Sequence, residues 1–233
     1  MQTQEFRYVS IKSQDSLSNS EKDTMSHLRV VVVSDTHNCH TNLQIPGGDV
    51  LIVAGDFTCH GTIPEAVRFN TYLGEQEHKY KLVVPGNHEW CPDLIRPFMT
   101  NCVFLLDNAI IINGIKFYGC RWKKKFSSLR MNDSTAKTTH IIPSDVDVLI
   151  THQPPKGVGG LDFDEKRSRG NIKLTERIKV VNPLVHVFGH THSKGGWFDD
   201  LDGCSTTFIN ASTLEGSKIQ AVLRKPIIFD LYH

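Results

Sequence analysis

Residues 28–37 read Leu28-Arg29-Val30-Val31-Val32-Val33-Ser34-Asp35-Thr36-His37, and residues 50–56 read Val50-Leu51-Ile52-Val53-Ala54-Gly55-Asp56. Each is a short β-branched run that stops abruptly at small and polar residues, the pattern of a strand buried on both faces. Residues 82–84, ahead of Pro85, repeat it. Between the second and third runs, residues 64–78 have the length of a helix, with Pro64 suited to the first turn and Ala66, Phe69 and Leu73 on one face. Strand, helix and strand in that order predict a parallel β-α-β unit.

Further along, residues 108–120 place two apolar runs around Asn113-Gly114, the pair best suited to a tight hairpin. Residues 146–150 and 184–188 read as buried strands flanking a polar segment and a helix-like stretch at 174–181, and residues 206–209 and 226–231 supply closing strands. Alternation in front and clustered strands behind predict an α/β fold with two mixed sheets packed together and helices outside. Residues 1–26 are polar and rich in Ser, Gln, Lys and Asp, so they are expected to form a flexible N-terminal extension without chemistry, with residues 27–233 as one domain.

Composition narrows the partners. The chain has 233 residues, 39% of them hydrophobic, and sets 26 Lys and Arg against 25 Asp and Glu. Such a balance leaves no net field to hold it on nucleic acid or a membrane surface. Six scattered cysteines form no Cys-x-x-Cys pair, which fits a reducing cytosol better than a disulfide framework. No apolar run approaches the ~20 residues that span a bilayer, and the opening residues lack the basic start and apolar stretch of a signal peptide. A cytoplasmic protein with no membrane partner and no strong nucleic-acid signal is expected.

Polar clusters follow five of the predicted strands: Asp35-Thr36-His37, Gly55-Asp56, Gly86-Asn87-His88-Glu89, Thr151-His152 and Gly189-His190-Thr191-His192. The carboxyl ends of strands are where open α/β sheets place ligand sites. Taken singly, each cluster has an ordinary explanation as a cap or turn. Together they supply the oxygen and nitrogen donors that borderline transition metals prefer, and one metal centre accounts for them better than five coincidences.

In this order, Asp-x-His, Gly-Asp, Gly-Asn-His-Glu, Thr-His-x-Pro and Gly-His-x-His resemble the calcineurin-like metallophosphoesterase superfamily, across residues 29–231. The resemblance implies a four-layer α/β/β/α sandwich with two mixed β-sheets, built around a dinuclear centre of divalent transition-metal ions. Matched motif by motif, it implies that Asp35, His37 and His192 hold the first ion, that Asn87, His152 and His190 hold the second, and that Asp56 bridges them. Two dications ~3.5–4 Å apart repel strongly, and a shared carboxylate and hydroxide lower that cost. A bridging hydroxide is then the implied nucleophile, and His88 the implied catalytic group that contacts the phosphate and protonates the departing oxygen. Simple packing of His88 beneath the centre is the alternative. Manganese, iron, cobalt, nickel and zinc all suit mixed oxygen and nitrogen donors.

Phosphoprotein phosphatases of this superfamily read Gly-Asp-x-x-Asp-Arg-Gly, with the Arg clamping a dianionic phosphoryl group, where this chain has Gly55-Asp56-Phe57-Thr58-Cys59-His60-Gly61. Lipid A pathway pyrophosphatases carry Asn-Arg-Asp in place of Asn87-His88-Glu89. More of the chain is similar to the small metallophosphoesterase-domain proteins, a branch resembling class III cyclic nucleotide phosphodiesterases. The supporting stretches are His152-Gln153-Pro154-Pro155, Val187-Phe188-Gly189-His190, Asn210-Ala211-Ser212-Thr213 and residues 226–231. This implies hydrolysis of a phosphodiester, with cyclic nucleotides among the candidate substrates. Two dications against Asp35, Asp56 and a hydroxide leave one positive charge, enough for a monoanionic diester. A phosphomonoesterase and a non-catalytic scaffold, as in the retromer subunit of this fold, are the alternatives.

Several further features have two readings. Arg121-Trp122-Lys123-Lys124-Lys125-Phe126 mixes cations and aromatic faces, as a nucleotide contact or a solvated loop would. Residues 157–170, with four glycines, form either a mobile pocket edge or plain connection. His60 reads as a loop residue or a weak substrate contact, His186 as a packed residue, and Cys39, Cys59 and Cys91 as bystanders.

Overall fold

The protein is described from a computed structural model, which covers residues 7–11, 14, 16–121, 142–215 and 222–233. The front half carries strands β1 (Arg7–Tyr8), β2 (His27–Val33), β3 (Val50–Ala54), β4 (Tyr80–Val84) and β5 (Val103–Phe104), with helices α1 (Asn19–Thr24), α2 (Ile63–Gly74) and α3 (Pro92–Ile95). The back half carries β6 (Asn108–Ile112), β7 (Ile115–Gly119), β8 (Val148–Ile150), β9 (Phe163–Asp164), β10 (Arg167–Ser168), helix α4 (Ile172–Val181) and β11 (Val185–Phe188). It ends with β12 (Gly196–Phe198), β13 (Thr207–Asn210), β14 (Leu214–Glu215), β15 (Val222–Leu223) and β16 (Ile227–Tyr232).

Two six-stranded sheets result, in the orders β1-β16-β2-β3-β4-β5 and β12-β13-β11-β8-β7-β6. Both are mixed. In the first, β2 to β5 run parallel and β16 pairs antiparallel to β2. In the second, β7, β8, β11 and β13 run parallel between the antiparallel strands β6 and β12. The Asn113-Gly114 hairpin forms as expected, with Ile112 opposite Ile115.

Period-two alternation divides the valine runs between two environments. Val30, Val32, Val50 and Ile52 face the second sheet and meet Phe117, Val148, Ile150, Val185 and Val187. On the other side of the first sheet, Val31, Val33, Leu51 and Val53 pack under Ala66, Phe69 and Leu73 of α2 and Ile95 of α3. Likewise Leu149, Phe188 and Phe208 of the second sheet lie under Leu174, Ile178 and Val181 of α4. Helices, sheet, sheet and helix are thus the four layers expected. This double burial is why the strands read as continuous apolar runs.

The expected polar extension needs amendment. Val9 and Ile11 are buried in the core between the sheets, and β1 pairs parallel with β16 through Arg7 opposite Ile227. Two apolar side chains in an otherwise polar stretch suffice to dock an edge strand. Helix α1, by contrast, buries no residue.

Helix α2 starts at a capping box. Thr62 Oγ1 accepts from the Glu65 amide at 3.4 Å, and the Glu65 carboxylate accepts from the Thr62 amide at 3.0 Å. Thr62→Ala is expected to cost ~1 kcal/mol, read by thermal denaturation as a Tm lower by about 2–4 °C. A shift under about 1 °C would show that this cap contributes little.

Candidate metal centre

All five polar clusters sit at the carboxyl ends of strands: Asp35 after β2, Asp56 after β3, Asn87 and His88 after β4, His152 after β8, and His190 and His192 after β11. The first three strands belong to one sheet and the last two to the other, so the clusters meet across the seam of the sandwich. Bonds across the seam hold it shut. Thr213 donates its amide to the Ser34 carbonyl at 2.9 Å, and His152 Nδ1 lies 2.7 Å from the Ala54 carbonyl. The backbone is strained here, since Asp35, His37, Asn38, Asp56 and His190 all have positive φ, between 41° and 72°. Such conformations cost roughly 1–3 kcal/mol each outside glycine and concentrate where function fixes a side chain.

The structure brings all seven predicted ligand residues and His88 into one cluster. Partner atoms decide which face each imidazole presents. His37 Nδ1 lies 3.2 Å from the Thr58 carbonyl, His152 Nδ1 faces Ala54, and His88 Nδ1 faces the Cys59 carbonyl. A carbonyl only accepts, so each Nδ1 carries the hydrogen and each Nε2 turns inward. There His37 Nε2 lies 3.3 Å from His192 Nε2, which is 3.2 Å from Asp35 Oδ1. Asn87 Oδ1 lies 2.8 Å from His190 Nδ1 and 3.1 Å from His152 Nε2. Asp56 Oδ2 is 3.2 Å from His152 Nε2, 3.9 Å from His37 Nε2 and 3.8 Å from His88 Nε2.

Lone-pair atoms this close repel unless a proton or cation lies among them. The ligand atoms of Asp35, His37 and His192 lie within 4.8 Å of one another, as do those of Asp56, His152 and His190. Their mixed carboxylate and imidazole chemistry suits divalent transition metals. By this test the residues fit the ions.

Electrostatics agree with that fit. Burial drives His37 and His190 down to about 4, which leaves both neutral with lone pairs available at pH 7. Burial would also lower His152, yet Asp56 and Asp35 beside it push it up to about 9. A proton on His152 supplies positive charge between the two carboxylates, and a cation binding there must displace it. For Asp35 and Asp56, burial acts upward, but the hydrogen bonds and charges of His192 and His152 hold both below the usual carboxylate range.

Three buried residues to which the sequence reading gave no role hold the loops. The Glu89 carboxylate accepts from the amides of Asp56, Thr58 and Gly86 at 2.9, 2.9 and 2.8 Å, and from the Thr58 hydroxyl at 2.6 Å. It thereby ties the Asp56 loop to the Asn87-His88 loop. Glu65 accepts from the amides of Cys59 and His60 and from the Asn38 side chain. The Asn210 amide group donates to Thr191 and Lys194 carbonyls at 2.9 and 2.8 Å and fixes the His190-His192 loop. The one signal available for Glu89 was its place inside a motif. Close approach explains two glycines: a Cβ at Gly86 would lie 2.1 Å from Asp56 Oδ1, and one at Gly189 2.0 Å from Ser34 Oγ.

Residues 157–170 pack against the loop that carries His190 and His192. Strands β9 and β10 pair as a short hairpin, and the Leu161 carbonyl accepts from the Thr191 hydroxyl at 2.6 Å. His60 stays in a loop with an exposed side chain, while His186 is fully buried between β-strand neighbours and meets the Thr151 hydroxyl at 2.9 Å. Cys39 and Cys59 both direct Sγ at the His37 carbonyl, and no disulfide links the six cysteines, all of them described. Residues 122–126 of the cationic aromatic stretch lie outside the described residues. Among the described residues, no helix is long and apolar enough to cross a membrane.

Comparison with known proteins places this geometry. The calcineurin-like phosphoesterase family profile matches residues 28–194. A UPF0046 protein of Caenorhabditis elegans is 36% identical over 230 residues, covering 89% of this chain and 76% of that protein. Metallophosphoesterase domain-containing protein 1 of Homo sapiens is 34% identical over 239 residues, covering 88% of this chain and 71% of its own length. Among solved structures, a Thermus thermophilus protein superposes with a TM-score of 0.50 at 11% identity, over 79% of this chain and 89% of that one. A second solved chain gives a TM-score of 0.53 at 15% identity over 79% of this chain and 90% of its own. These last two likenesses speak to the fold alone.

Proposed function

Since this chain belongs to the calcineurin-like phosphoesterase family, and is on that ground a metal-dependent phosphoesterase, we propose that it hydrolyses a phosphodiester, with cyclic nucleotides among its candidate substrates. When bound, a pair of dications, with manganese, iron, zinc, cobalt and nickel all suited, would supply Lewis acidity and a hydroxide from water near neutral pH. Asp35, His37 and His192 would hold one ion, Asn87, His152 and His190 the other, and Asp56 both. The observation that carries the diester preference is the loop after Asp56. Four of its amides are committed internally: Thr58 to Glu89, Cys59 and His60 to Glu65, and Gly61 to the Thr58 hydroxyl. The loop also carries no Arg to neutralise the second charge of a monoester.

His88 is the catalytic residue in this reading. Its Nδ1 is fixed on the Cys59 carbonyl, so Nε2 points along the reacting side, 3.8 Å from Asp56 Oδ2. Its side chain is 28% exposed, against 2% for His37 and 0% for His152, so substrate can reach it. Imidazole both holds and releases a proton near neutrality, as protonating a departing alkoxide requires. Six scattered cysteines with no Cys-x-x-Cys pair are what support a cytoplasmic location in this reading.

Assay of metal-reconstituted protein against bis- and mono-nitrophenyl phosphates and 2′,3′- and 3′,5′-cyclic nucleotides tests the assignment. Diesters are expected to exceed monoesters in kcat/KM. Monoester turnover far above diester turnover would replace this reading with a phosphomonoesterase, and no turnover at full metal occupancy would leave a scaffold. His88→Asn is expected to lower kcat by about 10²-fold on alkoxide leaving groups and much less on nitrophenolate, which departs unprotonated. Equal losses on both, with metal content intact, would remove His88 from the acid role.

A further inference from the structure

Trp90 follows the Gly86–Glu89 motif directly and is 69% exposed. Exposure of one large apolar side chain is ordinary in itself. What is unusual is that this one is held. Its indole Nε1 donates to the His60 carbonyl at 3.1 Å. The ring edge also passes close to Gly61, where a Cβ would lie 3.3 Å from Trp90 Cδ1 and 2.5 Å from the His88 carbonyl. With φ at +66°, Gly61 takes a backbone conformation that favours glycine and keeps this approach open.

The loop beneath the ring is itself pinned by Glu65 and by the Thr58 hydroxyl. Consecutive carbonyls of that loop serve two different side chains: Cys59 receives His88 Nδ1, and His60 receives Trp90 Nε1. Adjacent residues are ~3.8 Å apart along the chain. The indole is therefore anchored about one residue from the anchor of the proposed acid. The His60 side chain of the same loop is 80% exposed, with its Nδ1 3.4 Å from Glu65 Oε1.

We propose that Trp90, held by the His60 carbonyl, is a specificity-determining platform on which an aromatic or heteroaromatic group of the phosphoester substrate stacks while its phosphate occupies the centre. This rests on the phosphoesterase reading above and deepens it by naming the chemical class of the organic arm. A flat π face held open to solvent is complementary to another flat ring. Because the indole is fixed beforehand, little rotamer freedom is lost when a ring settles on it. Bases stack on aromatic side chains with little regard to sequence, so the platform selects for a ring rather than for one particular base.

Competitive inhibition of the metal-loaded full chain tests this with two probes, phenyl phosphate and inorganic phosphate. Trp90→Ala is expected to raise the Ki of phenyl phosphate by about 10-fold, within the span of base–aromatic stacking. The Ki of inorganic phosphate should move less than about 2-fold, and Trp90→Phe should keep most of the phenyl phosphate affinity that Trp90→Leu loses. Equal shifts for both probes, or none for either, would overturn the platform while leaving the phosphoesterase standing. Wild-type protein that binds neither probe and turns over no ester would instead overturn the reading beneath it. Comparing the Phe and Leu variants keeps the test decisive even if the alanine variant does not fold.

Discussion

Asp56→Asn should leave a folded protein that has lost its metals and, with them, about 10³- to 10⁴-fold in kcat. Three imidazoles, His37, His88 and His152, direct Nε2 at the single oxygen Asp56 Oδ2, the closest at 3.2 Å. The other oxygen accepts the His88 amide at 2.8 Å. Asparagine can keep that second bond through its carbonyl. It then turns an amide donor toward the centre where the carboxylate offered charge and a lone pair, so a cation there loses both attraction and a ligand atom. Metal analysis of the purified variant, beside a thermal melt without metal, separates the causes. The expected result is a Tm within a few degrees of metal-free wild type and metal content well below it. A variant that keeps the wild-type complement of metal and loses less than about tenfold in kcat would show that Asp56 does not join the two halves of the centre.

The same residue illustrates what a sequence can disclose. Asp56 was legible as a candidate because Asp, Asn and His at strand ends are side chains that metals take, and they recur after five apolar runs. Strands β2, β3 and β4 were legible for a related reason, since burial on both faces writes itself as unbroken valine and isoleucine. Strands β1, β5 and β12 were not. With two or three residues each, they carry no period to detect, and the partner of β1 lies at the other end of the chain. Helix α2 ends at Gly74, earlier than the expected 78, and starts at Ile63 behind the Thr62 and Glu65 capping box rather than at the expected 64. The docking of Val9 and Ile11 depends on an apolar slot made by β16, more than two hundred residues on. The task of Glu89 is not readable from its motif, because two of the three amides it accepts from belong to a loop 31 and 33 residues upstream.

That hidden task makes Glu89 the site of the second large effect, this time on stability and metal affinity together. Burial and the Asp56 charge push its carboxyl up to about 7, against the pull of its hydrogen-bond donors. All its partners are donors: Oε1 takes the Thr58 amide and hydroxyl, and Oε2 takes the Asp56 and Gly86 amides. Only a group with two accepting oxygens satisfies that arrangement. Glu89→Gln keeps shape and volume but must point its NH2 at one pair of donors, leaving at least one buried amide facing another donor. Glu89→Ala strands all three amides. Each unsatisfied buried donor costs roughly 1–3 kcal/mol, so the alanine variant should lose at least about 3 kcal/mol, or roughly 6–12 °C in Tm for a chain of this size. Since the same bonds fix the loops that carry Asp56 and Asn87, metal affinity should fall by about 10- to 100-fold even in the milder glutamine variant. A glutamine variant that melts like wild type and binds metal equally well would mean the amides find other partners, and the clamp would be dispensable.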